Sequence, residues 1–81
     1  MSDLVRVLRT YIASLTPDER ASLPLGLDAE RISHPADIQE WAVTLAHEDL
    51  KATGSGKTTP TLHQAAMVFA AAGARLPKVS E

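Results

Sequence analysis

The sequence predicts an all-α fold, a compact small bundle of about four helices of which the second is short. Apolar residues recur every three or four positions in three long segments, capping residues precede them, and no segment alternates apolar with polar residues as a strand does. We expect one helical domain over residues 1–76 and a mobile C-terminal tail over 77–81, because Pro77 interrupts the helical pattern.

The first two helices are joined by a strong capping signal. A first helix is predicted over residues 3–15. Thr16-Pro17-Asp18-Glu19 then fits the N-cap, the first helical position and the capping box of a second helix. Pro24 keeps this helix short, because the residue before a proline disfavours helical backbone. The apolar stripe of the first helix consists of Leu4, Leu8, Tyr11, Ile12 and Leu15.

Two longer helices are predicted in the rest of the chain. One restarts at Pro35 and runs to about Ala52, where the polar loop TGSGKT ends it. The last begins near Thr59 or Thr61 and is expected to end at Gly73, a residue that readily adopts the left-handed conformation of a helix terminator. The periodicity places one apolar face of the third helix on Ile38, Trp41, Ala42, Leu45 and Ala46.

The expected core is mostly aliphatic, because the chain has only three aromatic residues. Trp41 is the expected anchor of this core, and its replacement by alanine should cost roughly 3–5 kcal/mol, as for buried aromatic residues in general. The predicted core residues are Leu4, Leu8, Ile12, Leu15, Ile38, Trp41, Leu45, Leu62, Val68 and Phe69.

Composition excludes several classes of function. The 81 residues include no cysteine, so a disulfide framework, a thiolate metal site and a cysteine nucleophile are all excluded. No apolar run approaches the roughly 18–20 residues of a membrane span. The amino-terminal 15 residues carry arginines inside the apolar run, unlike a secretory leader. We therefore expect a cytoplasmic protein that does not enter a membrane.

The segment Gly54-Ser55-Gly56-Lys57-Thr58 resembles the end of the phosphate-binding loop G-x-x-x-x-G-K-[ST]. The position of the first glycine of that pattern is occupied by Lys51, and the preceding segment has helical periodicity where the motif requires a strand. No acidic residue follows until Glu81, so no second strand can supply a carboxylate for Mg²⁺. The sequence predicts a flexible connection here and no nucleotide binding, although anion binding by the loop stays open.

No catalytic, cofactor-binding or metal-binding residue is predicted, so we expect a protein that is not an enzyme. His47-Glu48 begins like the zinc motif H-E-x-x-H, but Lys51 stands where the second histidine is needed. The other histidines, His34 and His63, are 13 and 16 residues from His47, which matches no common metal-ligand spacing.

The segment from residue 58 to residue 74 has no formal charge, and its second half is apolar around the whole helix. Such a helix is either central in a bundle or covered by another chain. One interpretation is that the other helices of this chain cover it. The alternative is that part of it docks a protein partner or a second copy, which would make the protein a homodimer. The candidate partner-binding residues are Ala65, Ala66, Met67, Val68, Ala70 and Ala72.

These patterns favour a small protein–protein interaction or adaptor module that docks through an apolar helix face. The alternative is a small regulatory nucleic-acid-binding protein that uses four scattered cations. The net charge of −2 and the acidic third helix argue against nucleic acid as a partner. The cations concerned are Arg6, Arg9, Arg75 and Lys78.

Overall fold

The computed structural model of the protein describes residues 3–76, and within them the predicted all-α bundle is confirmed. Two short 3-10 turns connect the second helix to the third, and no strand occurs in the described residues. The predicted tail over 77–81 lies outside these residues. The helices are α1 (Asp3–Ala13), α2 (Pro17–Ala21), α3 (Pro35–Gly54) and α4 (Pro60–Arg75).

The predicted capping box of α2 is confirmed. The backbone N–H of Glu19 donates to the Thr16 hydroxyl at 3.1 Å, and the Thr16 N–H donates to the Glu19 carboxylate at 2.8 Å. An N-cap residue needs extended backbone, and Thr16 has φ −69° and ψ 162°. This requirement ends α1 at Ala13, two residues before the predicted end, and the Ser14 hydroxyl donates to the Tyr11 carbonyl at 2.7 Å.

The start of α3 is also fixed by local hydrogen bonds. The Asp37 carboxylate accepts from the backbone N–H groups of Ser33 and His34, each at 3.0 Å, and from the Ser33 hydroxyl at 3.2 Å. These backbone N–H donors, Ser33 first, hold the pKa of Asp37 below its ordinary value because they stabilise the carboxylate. The predicted restart at Pro35 is therefore confirmed.

The core forms where α3 and α4 pack as an antiparallel pair that α1 covers on one side. Ala42 of α3 lies beside Gly73 near the end of α4, and Asp49 lies beside His63 near its start, so the two helices run in opposite directions. The buried residues come from all parts of the fold: Val5, Leu8, Ile12, Leu23, Leu27, Ile32, Ile38, Leu45, Leu62, Ala65, Ala66, Phe69 and Ala72.

Three expectations about this core are wrong. Trp41 is only half-buried and packs at the margin, whereas Phe69 is the largest fully buried side chain. Gly73 does not end α4, which continues to Arg75. A Cβ atom built on Gly73 would lie 3.7 Å from the Ala42 Cβ, so its small size serves helix–helix approach. Ala46 is exposed, because its position turns away from the contact between α3 and α4.

The structure also bears on the expectation that no segment spans a membrane. Over residues 3–76, every helix is too short or too polar to cross a bilayer.

Candidate protein-docking face

The glycine-rich segment between α3 and α4 forms a helix terminator. The N–H of Lys57 donates to the Ala52 carbonyl at 2.7 Å, and the N–H of Gly56 donates to the Thr53 carbonyl at 3.1 Å. Gly56 has φ +73°, which places it in the left-handed region. This combination is the Schellman motif. A phosphate cradle needs such N–H groups to be available to the ligand, and here they cap α3.

The hydroxyl and imidazole groups that follow the glycines also form hydrogen bonds within the chain. The Thr58 hydroxyl donates to one oxygen of the Asp49 carboxylate at 2.6 Å, and Nδ1 of His63 lies 2.8 Å from the other oxygen. The hydrogen bond from Thr58, and next the one from His63, lower the pKa of Asp49. The Thr59 hydroxyl accepts from the N–H of Leu62 at 3.1 Å and so caps α4.

No cluster of metal ligands emerges from the described residues. Between residues 3 and 76 there is no group of three or more His, Asp or Glu side chains that could hold a metal ion. His34 and His47 are exposed, and His63 faces Asp49. The hydroxyl that this Asp–His pair contacts, that of Thr58, donates to Asp49, and no described hydrogen bond joins it to His63, the residue that would have to act as its base.

The six residues predicted to bind a partner occupy three different environments. Ala65, Ala66 and Ala72 are buried within the chain. Val68 is half-buried and lines a groove of about 240 Å³ between α1 and α4. The accessible ones on the other side of α4 are Met67, which is 60% exposed, and Ala70. The chain's own core thus covers half of the predicted set, and the binding role of the rest stays a prediction.

Met67 and Ala70 belong to a larger exposed surface that also includes α3. We call it the outward face. Each of its members follows a residue of the helix–helix contact by one position, which rotates it by about 100° around its helix. Because α3 and α4 are antiparallel, this rotation turns both rows to the same side of the pair, away from α1. The outward face consists of Val43, Ala46 and Leu50 from α3 and Met67, Ala70 and Ala74 from α4.

The outward face has no formal charge, and its large side chains are unusually exposed. Val43 is 72% exposed and Leu50 is 73% exposed. With Met67 they are three of the five large apolar side chains that are exposed among residues 3–76. A concentration of such side chains on one side of a small protein marks an interaction surface, whereas scattered ones carry no meaning.

The spacing within each row is that of a coiled-coil seam. On α3, residues 43, 46 and 50 are separated by three and four positions, and on α4 residues 67, 70 and 74 repeat the pattern. Alternate steps of three and four keep side chains in line along a helix that packs lengthwise against another. The outward face therefore presents two rows of side chains that lie side by side, one row from each helix.

Besides the groove between α1 and α4, the protein has a groove of about 560 Å³ beside Trp41 that is open to solvent. Leu25 at its edge has an unusual φ of +59°. This groove also contains Arg31 and the acidic residues Asp37 and Glu40, so its lining is of mixed charge. The groove between α1 and α4 is apolar except for Arg75.

The cations considered for nucleic-acid binding do not form one surface. Arg6 and Arg9 line a common groove on α1, and Arg6 pairs with Asp3 at 3.1 Å. Arg75 borders the separate groove between α1 and α4. Lys78 lies outside the described residues.

The partner-binding residues predicted from the sequence include Met67 and Ala70 of the outward face but neither Ala74 nor the residues of α3. The sequence does indicate the α3 part of the face, because Val43 and Leu50 are seven residues apart and both lie off the apolar stripe of α3. Neighbouring positions of α3 carry Glu40, His47 and Lys51, and these polar residues obscure the two apolar positions in the sequence pattern.

Comparison with known protein families, with curated proteins and with solved structures finds no match for this chain. The shape and charge of the outward face are therefore the observations on which a function rests.

Proposed function

We propose that the protein is a non-enzymatic interaction module that docks a helical protein through the outward face of α3 and α4. The observation that carries this proposal is the clustering of Val43, Leu50 and Met67, each at least 60% exposed, on one side of the molecule, in a face whose own members carry no formal charge. Covering these side chains removes apolar area from water, which favours association.

The gain from covering them is substantial for a chain of this size. Full burial of an aliphatic side chain contributes about 1.5–3 kcal/mol, so side chains that are 60–73% exposed retain about 1–2 kcal/mol each. The three together offer about 3–6 kcal/mol on the same scale. Association costs offset part of this gain, so the proposal is a moderate and reversible contact.

The spacing of the two rows also indicates the kind of partner. Steps of three and four residues suit helices that lie nearly parallel to α3 and α4, with crossing angles of about 20° and knobs packed into holes. Alanines at positions 46, 70 and 74 leave the hollows that such knobs need. A helical partner is thus the occupant that the face fits.

Nucleic-acid binding is not favoured by any contact in the described structure. Its three described cations lie in two grooves, and one of them is already paired. A cytoplasmic location remains part of the proposal, since a cysteine-free chain needs no oxidising compartment.

The test is photo-crosslinking of the full chain inside cells. A photoreactive phenylalanine analogue replaces Val43 on the outward face in one variant and Val7 on α1 in a matched control. Val7 is 57% exposed and also lies on a helix. We expect a covalent protein adduct from position 43 and little from position 7. If position 43 gives no adduct, or if both positions give the same adducts, docking through the outward face is refuted.

A further inference from the structure

We infer that the occupant of the outward face is a second copy of this chain, so that α3 and α4 of two copies form a symmetric four-helix bundle. This inference rests on the proposed docking function and names its partner. It is carried by the charge, the side-chain sizes and the dimensions of the outward face.

The charge pattern permits the face to meet itself. A symmetric contact contains every charged residue of the surface twice, and like charges that face each other are destabilising. The members of the outward face carry no charge, whereas Glu40, His47 and Lys51 of α3 lie off it. Two copies can therefore meet through these six residues without placing formal charges against each other.

The side-chain sizes of the two rows complement each other. The α3 row has large residues at its ends, Val43 and Leu50, around the small Ala46. The α4 row has the large Met67 followed by the small Ala70 and Ala74. A two-fold axis parallel to the helices places α3 of one copy over α4 of the other, so side chains of one row meet gaps of the other.

The register of α3 against α4 makes this match specific. Ala42 is level with Gly73, so Val43 is level with the gap between Ala70 and Ala74. The same count brings Ala46 level with Phe69 and Met67 level with the gap between Ala46 and Leu50. An axis parallel to the helices preserves these levels, so the Val43 knob of one copy meets the alanine hollow of the other. Met67 meets the gap between Ala46 and Leu50 in the same way.

The dimensions of the face predict a reversible dimer. Residues 67–74 of α4 and 43–50 of α3 each span about 11 Å, and two helices packed 8–10 Å apart form a face about 18–20 Å wide. In projection this is about 200 Å² per copy, or about 400 Å² in all, which is well below the roughly 1,200–2,000 Å² of stable complexes. The dimer should therefore dissociate on dilution within an accessible range of concentration.

The experiment measures the molar mass of the purified full chain by light scattering behind a sizing column, from about 10 μM to about 1 mM. The wild type is compared with Val43→Glu and with the matched control Val7→Glu. We expect the wild type and Val7→Glu to approach twice 8.7 kDa at high concentration. Val43→Glu should stay at 8.7 kDa, because symmetry places two unpaired carboxylates in the contact and raises the dissociation constant by about a hundredfold or more.

Two results would overturn the inference. One is a wild type that stays at 8.7 kDa at every concentration, and the other is dissociation by Val7→Glu with Val43→Glu unaffected. Circular dichroism of both variants confirms that the helices persist, which is expected because both side chains are exposed. A monomer whose position 43 still crosslinks to a different protein in cells refutes the second copy but retains the docking function. A monomer with no adduct refutes both.

Discussion

Two glycines at the end of α3 should respond to alanine with opposite signs. Gly54 is the last residue of the helix, whereas Gly56 has φ +73° and forms the Schellman motif. A Cβ atom at either position would meet no atom within 4 Å, so packing does not enter the comparison. Only the backbone conformation distinguishes the two substitutions.

The magnitudes follow from the backbone alone. An L-residue forced into the left-handed region costs about 1–2 kcal/mol, part of which is offset because alanine lowers the entropy of the unfolded chain. We expect Gly56→Ala to lower the free energy of unfolding by about 1 kcal/mol. Gly54→Ala should raise it by about 0.5 kcal/mol, because alanine is the better helix former and the site is terminal.

Thermal unfolding followed by circular dichroism at 222 nm measures both effects. For a domain of this length, 1 kcal/mol corresponds to about 4–8 °C in Tm. Gly56→Ala should therefore unfold about 4–8 °C lower than wild type, and Gly54→Ala a few degrees higher, at one fixed protein concentration. If Gly56→Ala raised Tm as Gly54→Ala does, the left-handed terminator would be refuted.

Four other expectations concern the core, the caps and the loop. Phe69→Ala should cost about 3–5 kcal/mol in urea unfolding, and Trp41→Ala clearly less, because only Phe69 is fully buried; equal losses would contradict this core. Thr16→Ala should cost about 1 kcal/mol by removing the cap of α2, and an unchanged urea midpoint would speak against that cap. The folded-state pKa of Asp49 is lowered, so its contribution to stability is present above about pH 4 and disappears as the pH falls through the folded pKa. The free energy of unfolding of Asp49→Asn should lack that acid-dependent component. If wild type and Asp49→Asn lost stability identically as the pH falls, the contacts of Asp49 would contribute nothing. Calorimetric titration with ATP should give no binding heat for wild type or Lys57→Ala, since helix capping uses the N–H groups of the loop; heat that only wild type releases would restore the nucleotide hypothesis.

The helices could be predicted from the sequence because their signals are local. The Thr16–Glu19 box and the contacts of Asp37 with Ser33 and His34 join residues at most four positions apart. Such contacts can be read from a short stretch of sequence without knowing how the helices pack. The error at the end of α1 is equally local, because the extended backbone of Thr16 overrides an apolar stripe that continues to Leu15.

The arrangement of the helices could not be predicted in the same way. The helical conformation of Gly73 depends on how closely α3 approaches α4, and the half-buried position of Trp41 depends on which distant segment, here that of Leu25 and Arg31, lies beside it. The outward face depends on the same relation, since Val43 and Met67 share a side only because the two helices are antiparallel. Periodicity identifies an apolar stripe on each helix but does not say which neighbour covers it.

The most direct test of the covered outward face is a paramagnetic relaxation measurement on the unmodified protein. A soluble gadolinium chelate broadens the NMR signals of methyl groups that solvent reaches. The account predicts that the methyl groups of Val43, Leu50 and Met67 become protected as the protein concentration rises, while those of Val7 and Leu25 stay accessible. Equal accessibility of all five at every concentration, or protection of Val7 alone, would contradict it.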